Sequence, residues 1–194
     1  MDFKRHIENA WNLTLKNIVS LILLTLVLVG VSSLTLGILA PVVLAGYTQS
    51  LLMLVRSGRE PKVQDLFTHM KLFLPLLGFG LAVLVVTSIG FAMFFLPGIL
   101  ITVAISYCCV YVLPLMTDKQ MTVMDAVKES FEMSRRGEIV DHVVVVIIFL
   151  AISMIGGTVF IGVLFTQPLA TLFLLSTYEE RVNATPPPAP QPQP

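Results

Sequence analysis

Few residues in this chain could do chemistry, and none of them stands in a catalytic pattern. His6, His69 and His142 lie in separate polar stretches, with no Cys, Asp or Glu around them at a convincing metal-ligand spacing. The sequence contains no HExxH pair, Walker loop or GxSxG elbow. We therefore interpret the histidines as independent groups that are solvated or contact lipid headgroups. We expect no catalytic residue, no cofactor and no metal ion.

The composition excludes an ordinary soluble domain. Of the 194 residues, 56% are hydrophobic and only 12% are charged, whereas soluble domains contain about 25% charged residues. The 12 basic and 12 acidic residues cancel, so nothing in the charge balance indicates a nucleic-acid partner. We therefore predict an all-α integral membrane protein in which apolar runs of about 20 residues cross the bilayer.

Four polar islands divide the chain at residues 1–17, 56–75, 116–142 and 178–194. The three apolar blocks between them are each about twice as long as one crossing, and each contains a proline: Pro41, Pro97 and Pro168. Because proline disrupts a helix, we predict a bend at each of them and about six transmembrane helices in three hairpins. The predicted segments are 18–39, 42–55, 76–95, 99–115, 143–165 and 169–177. The last is short, so it either re-enters the membrane or continues to Arg181.

Every Lys, Arg, Asp and Glu lies in one of the four islands, and the connectors around the three prolines carry no charge. Two crossings per block return the chain to the same face of the membrane each time. Because basic residues accumulate on the cytoplasmic side, we predict that all four islands and both termini lie in the cytoplasm.

Mostly apolar residues recur at helical spacing on one face in three islands and predict short amphipathic helices in the headgroup plane. These residues are Phe3, Ile7, Ala10, Trp11 and Thr14, then Val63, Leu66, Phe67, Met70 and Leu74, then Val123, Val127, Phe131 and Ser134. We therefore predict one membrane domain over 1–182, built from repeat units at about 1–55, 63–115 and 122–180. A capping contact between Thr122 and Asp125 is expected to begin the third helix. The proline-rich residues 183–194 predict a disordered tail.

The large aromatic residues of these surface helices are predicted membrane-interface anchors: Trp11, Phe67 and Phe131. Basic residues at the same level predict contacts with anionic headgroups: Lys4, Arg5, Arg56, Arg59, Lys62, Arg135 and Arg136. No Asp, Glu, Lys or Arg lies within the predicted spans, although ion-coupled carriers keep such groups at membrane depth. The polar residues found there, of which Gln49 is one, are predicted to serve helix packing.

Four segments carry a resemblance to a known family: 11–17, 56–61 leading to 65–67, 96–99 and 125–130. Together they resemble uncharacterised bacterial multi-pass proteins related to the membrane domain of glycerophosphoryl diester phosphodiesterases. Over about residues 1–180, the resemblance implies a polytopic membrane fold and a location in the bacterial inner membrane, with both termini in the cytoplasm. In that group the membrane domain can accompany a separate soluble catalytic domain, whose metal-binding carboxylates have no counterpart here, so we expect no enzymatic activity.

The function that these observations favour is non-catalytic. We expect the protein to bind or organise membrane lipid or partner proteins through its cytoplasmic interfacial helices. Two alternatives stay open: an uncoupled pore or carrier for a neutral or amphipathic solute or lipid, and an accessory subunit of a membrane enzyme. The expected partners are membrane lipids and either another protein or a second copy of the chain.

Overall fold

The computed structural model describes residues 2–135, 139–157 and 160–184. This part of the chain is helical, without strands. In chain order its α-helices are α1 (Phe3–Lys16), α2 (Ile18–Leu34), α3 (Ala40–Ser57), α4 (Phe73–Met93), α5 (Phe95–Cys109), α6 (Val112–Asp118), α7 (Val123–Arg135), α8 (Ile139–Gly157) and α9 (Phe160–Ala184). Two short 3-10 helices, Val63–Phe67 and Met70–Leu72, precede α4 and are called the 63–72 segment below.

Three stretches of the described chain are long and apolar enough to cross a membrane: Val63–Met93, Phe95–Asp118 and Ile139–Gly156. A fourth is added if α1 and α2, which are bent by 89° from each other, count as one broken span. The prediction of an all-α protein with apolar helices of membrane-spanning length is therefore confirmed at this level. The total of six spans stays a prediction.

The first two breaks between long helices lie close to the predicted prolines. Pro41 occupies the first turn of α3 and follows a turn in which Leu36 and Gly37 have positive φ. Pro97 lies in the first turn of α5, and the single extended residue Phe94 separates α5 from α4. A proline in the first helical turn costs no hydrogen bond, because the amides there have no partner within the helix.

The predicted bend at Pro168 is wrong. Pro168 lies inside α9, and the break between α8 and α9 comes after Gly157, so the segments 143–165 and 169–177 do not exist as drawn. Glycine allows the close packing of this hairpin, since a Cβ on Gly156 would lie 1.6 Å from Oγ1 of Thr166. Pro168 costs α9 one backbone hydrogen bond, and the packing of α9 against α8, α1, α2 and α3 outweighs that loss.

Helix α9 shows where the last predicted segment ends. This helix has 25 residues and continues through Arg181 to Ala184. It therefore includes the first two residues of the predicted tail, and the rest of that tail, 185–194, lies outside the described residues.

The buried core is centred on α3 and α9. Their fully buried side chains include Tyr47, Leu51, Phe173 and Tyr178, and the two helices pack against each other as well as against α2. By contrast, α4, α5 and α8 carry many apolar side chains on their outer surfaces. Such a large exposed apolar surface is typical of a protein whose solvent is lipid.

Helices form in the first and third islands, where the sequence predicts surface helices. Asp2 begins α1 by accepting the N–H of Arg5 at 3.2 Å. Before α7, Thr122 donates its hydroxyl to Asp125 at 2.7 Å and accepts the Asp125 N–H at 3.3 Å, which confirms the predicted capping contact. These two helices pack on α9 and α6 respectively.

The predicted amphipathic α-helix of the second island is replaced by the 63–72 segment, which packs on α3. Asp65 explains why this segment forms tight 3-10 turns instead of an α-helix. Its carboxylate accepts the N–H of Lys62 at 3.2 Å and the hydroxyl of Ser50 at 2.7 Å, which pulls the turn against α3. Leu66 is fully buried there, directly over Gly46.

Candidate functional site

The C-terminal ends of α3, α6 and α9 meet in a polar group that we call the arm-end cluster: Arg56, Asp118, Tyr178 and Glu179. Arg56 donates from Nη1 and Nη2 to the two Asp118 oxygens, at 2.5 and 2.7 Å, and from Nε to Glu179 at 2.6 Å. The hydroxyl of Tyr178 donates to Asp118 at 3.0 Å. One guanidinium therefore crosslinks the ends of three helices.

Electrostatics make Arg56 the central member of the cluster. Asp118 is the last residue of α6 and Glu179 lies in the C-terminal part of α9, where the helix dipole disfavours negative charge. The hydrogen bond to Asp118 raises the pKa of Arg56, burial opposes that effect, and Glu179 adds to the increase. Because the Asp118 side chain is only 13% exposed, water screens this pair less than an ordinary surface pair.

A second polar contact joins α1 to α9 through His6, which is 6% exposed. Its Nδ1 lies 2.6 Å from the hydroxyl of Ser176, and its Nε2 lies 2.5 Å from a carboxylate oxygen of Glu180. Ser176 is in the middle of a continuous helix, so the backbone amides beside it are used by the helix and cannot form an oxyanion hole. The three side chains are arranged to hold α1 against α9.

These two contacts connect all four polar islands. His6 comes from the first island, Arg56 from the second and Asp118 from the third, while Glu179 and Glu180 come from the fourth. The islands are separated in sequence by long apolar blocks. Their polar side chains nevertheless meet at one end of the helix bundle.

The other two histidines lie elsewhere. His69 is next to the hydroxyl of Thr68, at 2.9 Å. His142 is fully buried and donates from Nε2 to the carbonyl of Tyr107 at 2.8 Å. The interpretation of the histidines as solvated or headgroup-contacting groups is therefore wrong for His6 and His142, whose partners belong to distant segments. Within the described ranges, no group of His, Cys, Asp or Glu could hold a metal ion.

The predicted interface anchors all lie on the surface. Trp11 is 45% exposed, Phe67 39% and Phe131 41%. On α1, the residues one turn before and after Trp11, Ile7 and Leu15, are also exposed, so the three form an apolar stripe along the helix. The stripe that contains His6 packs on α9, and the Trp11 ring also contacts α9, with its centroid 5.6 Å from that of Phe165 in an edge-on arrangement.

The predicted headgroup contacts fall into two groups. Arg56 and Arg59 already have carboxylate partners, since Arg59 lies 2.5 Å from Asp65. Of the remaining five, the four in the described ranges are exposed: Lys4, which also lies 3.8 Å from Glu8, Arg5, Lys62 and Arg135. Of these, Arg135 lies over the ring of Phe131, whereas Arg136 is outside the described residues. The structure thus leaves at least four of the seven basic side chains at the surface.

A cavity of about 250 Å³ lies between α3, α4, α5, α6, α8 and α9. Apolar side chains make up most of its wall. The hydroxyls of Thr48 and Thr171 also line it, but each donates to a carbonyl of its own helix, Leu44 and Gln167 respectively. Ser106 and Gln167 are the other residues with polar side chains in its described wall.

Sequence reasoning did not predict the arm-end cluster. A signal for it is present, because Arg56, Asp118 and Glu179 are spaced by 62 and 61 residues, close to the spacing of the predicted repeat. Their mutual contact depends on how three hairpins pack, which spacing alone does not give. A fold also does not define a function, so the function is argued from these sites. No protein-family model, curated protein or solved structure matches this chain.

Proposed function

We propose that this chain is a non-catalytic protein of the bacterial inner membrane that binds and organises membrane lipid through its cytoplasmic surface elements. The observation that carries the proposal is the hydrogen-bonded connection between all four polar islands. Segments in direct contact lie on one side of a bilayer, so each apolar block crosses an even number of times. With two crossings per block the total is six, and the positive-inside bias assigns the polar side to the cytoplasm.

The packing of the surface elements supports three repeat units. The 63–72 segment packs on α3, which precedes it, and α7 likewise packs on α6. In the same manner α1 packs on α9, so the first unit closes a ring with the last. This arrangement fits parallel repeats around an axis along the membrane normal.

The orientation of α1 supports contact with lipid. Because α1 is bent by 89° from α2, it lies in the headgroup plane when α2 crosses the membrane. Ile7 and Leu15, together with the part of Trp11 that does not pack on Phe165 of α9, then face the acyl chains. Burying one large aromatic side chain contributes about 1.5–3 kcal/mol, and Lys4 and Arg5 add attraction to anionic headgroups.

The only tryptophan of the sequence, Trp11, makes this placement measurable. In vesicles, we expect lipids brominated near the top of the acyl chain to quench Trp11 fluorescence more strongly than lipids brominated near its end. The physical reason is that the bromine must approach the indole ring, which lies at the headgroup boundary. The measurement is the ratio of quenching by the two lipids.

A variant supplies the matched control for that measurement. In Trp11→Phe combined with Leu26→Trp, the new ring lies on an exposed position of α2, about 12 Å along the helix from its start. The ratio should then reverse. If Trp11 is quenched by neither lipid, or shows the same ratio as the control, the interfacial placement of α1 is wrong.

A second candidate function is uncoupled passage of a neutral or amphipathic lipid between the hairpins. The cavity of about 250 Å³ between α3, α4, α5, α6, α8 and α9 favours it. The described wall of that cavity contains no Asp, Glu, Lys or Arg, the groups with which transporters respond to ion gradients. The cavity therefore supports passive entry of a lipid and gives no support to coupled transport.

A further inference from the structure

A second cavity, of about 270 Å³, lies between α3, the 63–72 segment and the end of α6. Among the described residues of its wall, Met53 is the one without a polar side chain. Ser50 and Thr117 form a buried part of the wall, whereas Arg59 and Gln120 are exposed at its rim. At about 30 Å³ for each water molecule, about nine would fill the cavity, so it has room for a small polar ligand.

One buried acceptor in this cavity has no partner. The side-chain oxygen of Gln49, Oε1, is buried from solvent, and no described residue donates a hydrogen bond to it. Such an atom is unusual, because the large majority of buried polar side-chain atoms in folded proteins are hydrogen-bonded. A bound molecule that donates an O–H or N–H group to Oε1 would supply the missing bond.

The charged groups of the wall are already paired. Asp65 accepts hydrogen bonds from Arg59 at 2.5 and 2.6 Å, and Asp118 accepts from Arg56 at 2.5 and 2.7 Å. His69 lies 2.9 Å from the hydroxyl of the preceding threonine. A cation in the cavity would face the Arg59 guanidinium, and an anion would face the two carboxylates. Because an ion of either sign meets a like charge, the wall favours a neutral molecule.

The hydroxyl groups of the wall are held as acceptors. Each donates its proton within the protein: Ser50 to the carboxylate of Asp65, Thr68 to the carbonyl of the same residue, and Thr117 to a carbonyl of its own helix. A hydroxyl whose proton is used in this way presents only lone pairs to the cavity. Together with Oε1 of Gln49, these oxygens favour a molecule that carries several donors.

We infer that this cavity binds a neutral polyhydroxy group of the size of one sugar ring, with a hydroxyl that donates to Oε1 of Gln49. Hydroxyl groups donate and accept, so the same molecule satisfies the oxygens of the wall and accepts from the amide of Gln120 at the rim. Two sources offer this chemistry, a free sugar and the headgroup of a glycolipid. The inference goes beyond the proposed lipid contacts of α1 and does not depend on them.

Three forms of one sugar ring test the preference for a neutral ligand: methyl glucoside, protonated glucosamine and glucose 6-phosphate. Their dissociation constants would be measured by ligand-detected saturation-transfer NMR with the full chain in phosphatidylcholine nanodiscs. We expect the neutral methyl glucoside to bind at least about tenfold more tightly than the cation or the anion, since each ion meets a like charge in the wall.

The substitution Gln49→Leu tests the role of the buried acceptor. The affinity for methyl glucoside should fall about tenfold, the worth of one hydrogen bond. Gln167→Leu, which changes a glutamine in the apolar cavity, is the matched control and should leave the affinity unchanged. Because Oε1 of Gln49 has no partner within the described chain, Gln49→Leu should not lower the free energy of unfolding of the ligand-free protein.

Nanodiscs that contain a monoglucosyl diacylglycerol separate the two sources. Weaker apparent binding of methyl glucoside in these nanodiscs identifies the lipid headgroup as an occupant, and unchanged binding identifies the free sugar. The inference is overturned if methyl glucoside does not bind, binds no more tightly than the two charged sugars, or binds Gln49→Leu with unchanged affinity. A cavity filled by water alone gives the first of these results. Trp11 quenching tests the proposed lipid contacts separately, so a failure of either proposal is distinguishable from a failure of the other.

Discussion

Arg56→Gln lowers the free energy of unfolding by about 2 kcal/mol, because hydrogen bonds to charged groups are worth about 1.5–3 kcal/mol each and the 37% exposure of the Arg56 side chain reduces that value. The substitution leaves Asp118 and Glu179 at helix C-termini without their shared cation. The measurement is denaturant unfolding of the purified protein in detergent, followed by circular dichroism.

Lys4→Gln is the matched control for charge. Lys4 is 85% exposed and lies 3.8 Å from Glu8, so its loss should change stability by less than about 0.5 kcal/mol. Asp118→Asn combined with Arg56→Gln should cost less than the sum of the two single variants, since the two residues act on one network. If Arg56→Gln and Lys4→Gln changed the free energy of unfolding equally, the arm-end cluster would not stabilise the fold.

Gly46→Ala is the second substitution for which we expect a large loss, of about 1–3 kcal/mol from overpacking. A Cβ at this position would lie 2.3 Å from the carbonyl oxygen of Leu66 and 2.6 Å from that of Asp65. Both atoms belong to the backbone, so no side-chain rotation relieves the clash. The 63–72 segment must move away from α3, which also separates Asp65 from Ser50. Unfolding in detergent measures the loss.

Gly80→Ala provides the comparison within a helix. The nearest atom to its added Cβ is Cγ of Pro41, at 3.7 Å, which is ordinary contact. Alanine is favoured over glycine in helices by up to about 1 kcal/mol, so stability should be unchanged or higher. The account of the α3 contact would be contradicted if Gly46→Ala were as stable as Gly80→Ala.

The parts of the fold that the sequence predicts well are those controlled by local chemistry. The apolar blocks predict the long helices, and a proline that leaves the first helical turn intact predicts the breaks near Pro41 and Pro97. The same rule fails at Pro168, because a helix packed on several neighbours absorbs one lost hydrogen bond. Gly156, which packs closely against Thr166, indicates the position of that hairpin better than Pro168 does.

The parts that the sequence does not predict depend on contacts between distant segments. The position of His6 in α1 predicts a solvated side chain. In the structure it is buried, because it contacts Ser176 and Glu180, which lie about 170 residues later in the sequence. Arg56 fits a headgroup contact by position, but two carboxylates from other hairpins bind it. Such partners follow from how the units pack around one another, which local periodicity does not determine.

The central claim is that all polar islands lie on the cytoplasmic face, and cysteine labelling in spheroplasts tests it most directly. In a variant without Cys108 and Cys109, single cysteines would replace exposed island residues or exposed residues of the connectors. The island variants are Lys4→Cys, Lys62→Cys and Lys128→Cys, and the connector variants are Ile38→Cys and Phe94→Cys. We predict that a membrane-impermeant maleimide labels both connector variants in intact spheroplasts and labels the island variants only after permeabilisation. Labelling of any island cysteine from outside intact spheroplasts would contradict the account.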